Sequence, residues 1–333
     1  MFKFNRKIIG LVLSLILVMS VSGCQSKQEA KDNYPEREIR VVVPYSPGGT
    51  VDTAMRQFQP YLTTSVGKPL MIDNRPGAGG QLGTTIVHKE KQEGYVIGAM
   101  ASPHTEFMLV LENPEFKTED FAFIGGLTSD PVCIRVHIDS PWNTLDEFIA
   151  DAKSKPPETY SFGVSSIFSD NYLGIKILEE ITGTKFKIVD FGGGGPSRVA
   201  LVGKQIDAVH TNVFSSLHIA SKSKVLAVQQ DTNEYKDLTN NAPTVNESLK
   251  TTVPALSTRT FLFTTKAFKE KFPTRYKKLV DDFQKAVTSK EYREMKQKIG
   301  EEANIDYLDP DKSFALFKAN VETLGKYKYL WKK

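Results

Sequence analysis

Two glycine-rich turns within residues 39–83 constrain this chain more than any other feature. The apolar run Ile39-Arg40-Val41-Val42-Val43 meets Pro44-Tyr45-Ser46-Pro47-Gly48-Gly49-Thr50-Val51-Asp52 and then a helical stretch. Leu70-Met71-Ile72 runs into Asp73-Asn74-Arg75-Pro76-Gly77-Ala78-Gly79-Gly80-Gln81-Leu82-Gly83 and a second helical stretch. Each turn ends a strand where a helix begins. Two such turns expose backbone N–H groups at neighbouring helix N-termini, which hold an anion without a cationic side chain.

The alternation continues along the chain. The patterns predict helices over Thr53–Ser65, Gln81–Lys91, Thr144–Ser154, Asp170–Thr182 (stopping at Gly183) and Ser197–Val202. Strands are predicted at Ile39–Pro44, Leu70–Asp73, Tyr95–Met100, Phe121–Leu127, Val132–Ile138, Tyr160–Gly163, Phe186–Asp190, Ile206–His210 and Val225–Val228. The tail is helical, with Leu279, Phe283 and Val287 at four-residue spacing. Such a pattern argues for α/β lobes with mostly parallel sheets and ligands beyond the carboxyl ends of strands, where the glycine turns fall. A chain of 333 residues exceeds the usual single-domain size, so two lobes are expected.

Residues 1–23 are expected to be a secretory signal rather than part of the fold. Lys3, Arg6 and Lys7 precede the apolar run Ile8–Val21, and Val21-Ser22-Gly23 sits directly before Cys24. Small residues before a cysteine resemble a bacterial lipobox, which implies lipidation of Cys24 and cleavage before it; the bland alternative is a simple membrane anchor or an uncleaved signal. Loss of the three basic residues lowers the net charge from +4 to +1, which gives no reason to invoke nucleic acid. Gln25–Asn33 is polar and forms a tether. With Cys24 lipidated, Cys133 has no disulfide partner and is expected to be a buried free thiol.

Four loops carry the candidate chemistry. In the first, Gly48 and Gly49 let the backbone approach a ligand, while Ser46 and Thr50 supply neutral hydroxyls. Asp52 either caps the following helix or accepts a hydrogen bond from a ligand hydroxyl or amine; it repels a carboxylate. In the second, Gly77, Gly79 and Gly83 miss a dinucleotide fingerprint by one residue, and Arg75 either clamps an anion or pins the loop through Asp73. In the third, Ser161-Phe162-Gly163-Val164-Ser165-Ser166-Ile167-Phe168-Ser169-Asp170-Asn171 offers hydroxyls for a second carboxylate, or is a helix start capped by Ser169 or Asp170. The fourth, Phe191-Gly192-Gly193-Gly194-Gly195-Pro196-Ser197, exposes N–H donors before a helix. His88, His104, His137, His210 and His218 show no metal-ligand spacing, so neither a metal nor a cofactor is expected. His104 and Asn212 follow strands and are placed to line a cleft.

The order of these motifs resembles the Bug/TctC family, extracytoplasmic solute-binding proteins of tripartite tricarboxylate transporters. The resemblance rests on Pro44-Tyr45…Gly48-Gly49…Asp52, Asn74-Arg75-Pro76-Gly77-Ala78-Gly79-Gly80…Gly83 and Glu93-Gly94-Tyr95. Asp120-Phe121, Leu201-Val202-Gly203-Lys204-Gln205-Ile206-Asp207 and Ala242-Pro243-Thr244-Val245-Asn246-Glu247 support it by order. It implies a periplasmic-binding-protein fold, type II-like: two α/β lobes, a cleft and crossing hinge strands. The corresponding division is 1–23 signal, 24–33 tether, 34–135 with 229–333 as lobe 1, and 136–228 as lobe 2. It further implies one carboxylate on Tyr45, Ser46, Gly48, Gly49, Thr50, Asp52, Gly77, Ala78, Gly79 and Gly80. The other end would meet Ser165, Ser166, Ser169 and Asp170, with His104, Gly193, Gly194 and Asn212 in the cleft. The chain departs from the family pattern in a longer third segment, in Phe191-Gly192-Gly193-Gly194, and in Tyr172 where a His is usual.

The implied activity is binding without chemistry: a monomer, lipid-anchored outside the cytoplasm, captures a small di- or tricarboxylate and presents it to a membrane permease. A lipid-anchored hydrolase is the alternative from another class, but no G-x-S-x-G elbow or H-E-x-x-H is present. A sensory module for a membrane kinase is a third reading.

Overall fold

The computed structural model describes residues 33–91 and 93–331. The expected signal, Cys24 and nearly all of the tether lie outside the described residues. In chain order the elements are β1 (Ile39–Val43), α1 (Thr50–Val66), β2 (Leu70–Asn74), α2 (Gln81–Lys89), β3 (Val96–Ser102), α3 (His104–Leu111) and β4 (Phe121–His137). There follow α4 (Leu145–Lys153), β5 (Ser161–Val164), α5 (Asp170–Thr182), β6 (Lys187–Asp190), α6 (Gly194–Val202), β7 (Ala208–Asn212) and β8 (Ser223–Val228). The last are α7 (Val245–Leu249), β9 (Ser257–Thr265), α8 (Lys266–Lys271), α9 (Pro273–Val287), α10 (Lys290–Lys298), β10 (Ile305–Leu308) and α11 (Pro310–Leu324).

The strands form two sheets joined through β4. The first runs β2-β1-β3-β9-β4, with β10 also on β4; the second runs β4-β7-β5-β6, with β8 also on β4. Residues Phe121 to Pro131 of β4 pair with β9, and Val132 to Val136 pair with β7. The sequence pattern breaks β4 into two strands at Pro131. The chain nevertheless continues straight through, because Pro131 falls at the change of partners, where a residue without an N–H is tolerated.

The sheets are mixed rather than mostly parallel. Strand β1 is parallel to β2 and β3, and β5 is parallel to β6 and β7. Helices supply the crossovers that parallel neighbours require, as in β1–α1–β2 and β5–α5–β6. Strands β4 and β9 instead lie antiparallel to every strand they pair with.

Each sheet has its own core. In the first lobe Phe121, Phe123, Phe261, Phe263 and Phe317 pack together. Phe283 of α9 meets Phe58 of α1 with ring centroids 5.4 Å apart. Leu279 and Val287 are buried on the same α9 face, as their spacing requires. In the second lobe Phe148, Phe162, Leu173 and Phe186 form the centre. Full burial of each such side chain contributes about 1.5–3 kcal/mol. These cores fix the strand ends, and the four glycine-rich or hydroxyl-rich loops leave those ends toward one another.

Candidate functional site

A cavity of about 450 Å³ lies where those loops meet. The first lobe lines it with Tyr45, Gly49, Thr50, Gly77, Ala78, Gly79, Gly80 and His104. The second contributes Ser165, Ser166, Phe168, Gly193, Gly194 and Asn212. Among the described residues no lysine or arginine belongs to the lining. Its one carboxylate, Asp190, is engaged by the N–H groups of Gly192 at 2.8 Å and Ile167 at 3.2 Å.

Three helix starts led by glycine meet at this cavity; elsewhere most helix starts carry a side-chain cap, α9 after Phe272 being an exception. Helix α1 begins after Gly49, α2 after Gly80 and α6 after Gly193, and none has a side-chain cap; neither does the short turn Ala78–Gly80 after Gly77. Away from the cavity, Thr144 accepts a hydrogen bond from Glu147 N, Thr244 from Glu247 N, Thr265 from Phe268 N, Ser289 from Tyr292 N and Asp309 from Lys312 N. First-turn N–H groups have no partner within their own helix. At α1 and α6 no side chain takes up those of Thr50, Val51, Gly194 and Gly195, which leaves them to a ligand with the positive end of each helix dipole behind them; at α2 the N–H groups of Gly80 and Leu82 turn back to Gly77 O and that of Gln81 to Ala78 O.

Several expected residues shape this wall from behind. Asp52, 2% exposed, accepts from Gly48 N at 2.8 Å, Arg56 Nε at 3.0 Å and Asn74 Nδ2 at 3.0 Å. Its oxygens therefore brace the first loop, and Asp52 is not among the residues that line the cavity. Ser46 Oγ donates across the cleft to Gly192 O at 3.0 Å, and Gly48 O accepts from Arg198 Nη2 at 2.6 Å. Ser169 caps α5 by accepting from Tyr172 N at 3.1 Å. Arg75 pairs with Asp73 at 2.9 Å and pins its loop.

Asp170 ties the lobes together. Its Oδ1 faces His104 Nε2 at 3.1 Å, and its Oδ2 accepts from Thr258 Oγ1 at 2.7 Å. With Nε2 donating to a carboxylate, Nδ1 of His104 is the ring atom left for a ligand, and it is buried without a protein partner. Tyr45 lies edge-on to His104 at 5.7 Å, and burial pushes its hydroxyl up to about 12, so it remains a neutral donor. Thr50 Oγ1 donates to Asn212 Oδ1 at 3.3 Å, another bond between the lobes.

Sequence reasoning missed Thr258, Phe168, Ala101 and Asp190 in the wall, and Arg198 behind it. Thr258 carries no motif. Arg198 stands between Ser197 and Val199 in what reads as an ordinary helix. Phe168 lies in the flagged third segment, and its ring occupies the space a Cβ on Gly79 would enter, 2.3 Å from Cδ2.

The arrangement lacks a nucleophile–base pair. Ser165 Oγ donates to Asn171 Oδ1 at 2.8 Å, while His104 is held by Asp170. His210 lies in the core of the second lobe, its pKa lowered to about 4 by burial. Among the described residues no group of side chains is arranged to hold a metal ion, and no helix is long and apolar enough to cross a membrane. Cys133 is buried and unpaired, its thiol pushed up to about 11 by burial.

Residues 54–316 match the family model TctC, the tripartite tricarboxylate transporter family receptor. The chain belongs to the TctC family. Its motif resemblance is thus borne out, and proteins of this family are substrate-binding proteins rather than enzymes. BugT of Bordetella pertussis is 29% identical over 214 residues, an alignment covering 63% of this chain and 65% of BugT. Among solved structures, R. palustris Rpa4515 with adipate superposes with a TM-score of 0.78 at 21% identity, over 90% of this chain and 98% of that one. MatC from Rhodopseudomonas palustris with bound malate gives 0.77 at 21% identity, over 90% and 100%. At such identities the likeness is one of fold. Two α/β lobes are what it shows for this TctC chain.

Proposed function

We propose that this TctC protein captures a small carboxylate, of the di- or tricarboxylate class, in the cavity between its lobes. It delivers the acid to a permease of the tripartite tricarboxylate type, and Cys24 anchors it outside the cytoplasm through lipid. The observation carrying this reading is the convergence of uncapped, glycine-led helix starts on one cavity without a lysine or arginine in its lining. A carboxylate meets such donors with charge-assisted hydrogen bonds, each contributing roughly 1.5–3 kcal/mol when desolvated. Adipate in Rpa4515 and malate in MatC agree with that class of ligand. The division expected from the resemblance, with residues 136–228 as the second lobe, is part of the proposal.

Both lobes supply donors, so only a ligand touching both favours the joined state, and closure follows from that differential affinity. The test is a thermal-shift and calorimetric screen against di- and tricarboxylates, with uncharged amides as controls. Binding raises the melting temperature by mass action. Protection by none of the acids, or equal protection by the amides, refutes the reading. Replacement of Cys24 by Ser is expected to abolish incorporation of labelled fatty acid and release the protein from the membrane fraction.

A further inference from the structure

Arg198 is fully buried on α6, directly behind the cavity wall. Its Nη1 lies 2.9 Å from where a Cβ on Gly194 would sit, and Gly194 lines the cavity. Glycine at that position leaves the guanidinium its space. The hydrogen-bond partners of Arg198 are neutral: Gly48 O at 2.6 Å, Thr211 Oγ1 at 3.2 Å and Ser215 Oγ at 3.5 Å. Ser215 Oγ in turn lies 3.1 Å from Thr50 Oγ1 of the wall. Arg198 Nε is buried with no hydrogen-bond partner.

Arg198 takes part in none of the ion pairs among the described residues. The nearby acid is Asp130, buried on β4, whose oxygens accept from Phe214 N at 2.8 Å and Ser215 N at 2.9 Å; it attracts Arg198 without a direct bond, and buried Arg135 repels Arg198. A guanidinium held out of water with neutral hydrogen-bond partners, and with its nearby acid partly offset by a second buried cation, is stabilised further when an anion approaches it. The cavity is the space from which that charge can come.

We propose that Arg198 is the countercharge of the bound anion: a specificity-determining residue that acts through the wall and selects a charged acid over its neutral amide. The inference rests on the carboxylate reading above and deepens it. Gly48 O, the closest partner of Arg198, belongs to the other lobe, so the full set of partners is assembled only when the lobes meet. Arg198 is a positioning residue, since no ligand atom need touch it.

The test compares wild type with Arg198→Met and Arg198→Lys by calorimetry, using malate, adipate and the diamide of each. A unit charge one side-chain layer away, about 7 Å at an effective dielectric constant near 20, corresponds to roughly 50-fold in affinity. Arg198→Met is therefore expected to lower the acid-to-amide affinity ratio by some 10- to 100-fold, and Arg198→Lys to restore most of it. A lesion that merely disturbs packing lowers acid and amide affinities together and leaves the ratio unchanged, which overturns the proposal. If Arg198→Met does not fold, Arg198→Lys decides: a ratio equal to wild type supports the role of charge, and a ratio collapsed to unity overturns it. Acids bound by wild type with an unaltered ratio in Arg198→Met remove Arg198 alone, whereas a wild type that binds neither acid removes the carboxylate reading as well.

Discussion

Replacing Gly195 by Ala tests whether the lobes must meet for a ligand to be held. Gly195 lies in the first turn of α6 and is not part of the cavity lining. A Cβ there would sit 2.8 Å from Pro47 O, 3.1 Å from Gly48 C and 3.2 Å from Gly48 O, all backbone atoms of the opposite lobe. No side chain can swing aside to relieve such contacts, so the lobes must stand apart by several tenths of an ångström or more. Overpacking of this kind costs about 1–3 kcal/mol, roughly 5- to 150-fold in the closing equilibrium. Apparent affinity falls by the same factor, because it scales with the population of the competent state. With the lobes apart these three contacts are relieved, and Ala favours a helix over Gly by roughly 0.5–1 kcal/mol. The ligand-free melting temperature is therefore expected to hold or rise while affinity drops. Calorimetry with an acid that binds wild type gives the first number, and small-angle scattering with and without that acid gives the compaction. Wild-type affinity with full compaction in Gly195→Ala refutes the reasoning, as does a fall in ligand-free stability large enough to account for the lost binding.

His104→Phe removes the buried acceptor Nδ1, so affinity for a hydroxy acid such as malate is expected to fall by about tenfold more than affinity for its deoxy counterpart succinate, read by calorimetry. Burial raises the Glu106 carboxyl to about 8, so the folded protein holds a proton that the unfolded chain releases above about 4.5. Its contribution is complete below that point and is lost as pH rises through 8; Glu106→Gln should match wild type in urea unfolding at pH 5 and exceed it at pH 9. His210 has the opposite sign: with a folded pKa of about 4 it stays neutral while the unfolded chain takes up a proton near 6.5, so wild type loses up to about 3 kcal/mol as pH falls from 6.5 to 4. His210→Asn should flatten that acid limb whatever its stability at neutral pH, and an unchanged slope sinks the assignment.

What the sequence made legible was local in origin. The turns at Gly48-Gly49 and Gly77–Gly80 announce themselves because strand, glycine and helix follow one another within a few residues. Helix α5 was legible from end to end, since Asp170 and Gly183 mark its boundaries chemically. Strand β9 was hidden: Ser-Thr-Arg-Thr-Phe-Leu-Phe-Thr-Thr lacks an apolar/polar alternation, because from Thr260 to Thr265 it is buried on both faces between β3 and β4. Thr258 went unseen with it. Helix α3 was hidden for a related reason: His104 through Met108 are all buried, so no polar stripe gives it a helical period. Arg198 shows where local reading ends, because its role depends on a carbonyl 150 positions earlier in the chain.

The placement of charge relative to the wall also follows from what a receptor must do. An arginine in the wall would hold an acid from one lobe alone, in the open state as well as the closed, and release would become slow. A neutral wall divided between Gly49, Gly77–Gly80 and Thr50 on one side and Ser165, Ser166, Gly193 and Gly194 on the other would give each lobe only part of the affinity. A cation set behind the wall adds attraction without a direct contact that must be broken. Its bond to Gly48 O is made across the cleft, alongside Ser46 to Gly192 and His104 to Asp170. On the proposed function, capture strength depends on lobe contacts, and any partner that pries the lobes apart would weaken the hold on the acid without touching it.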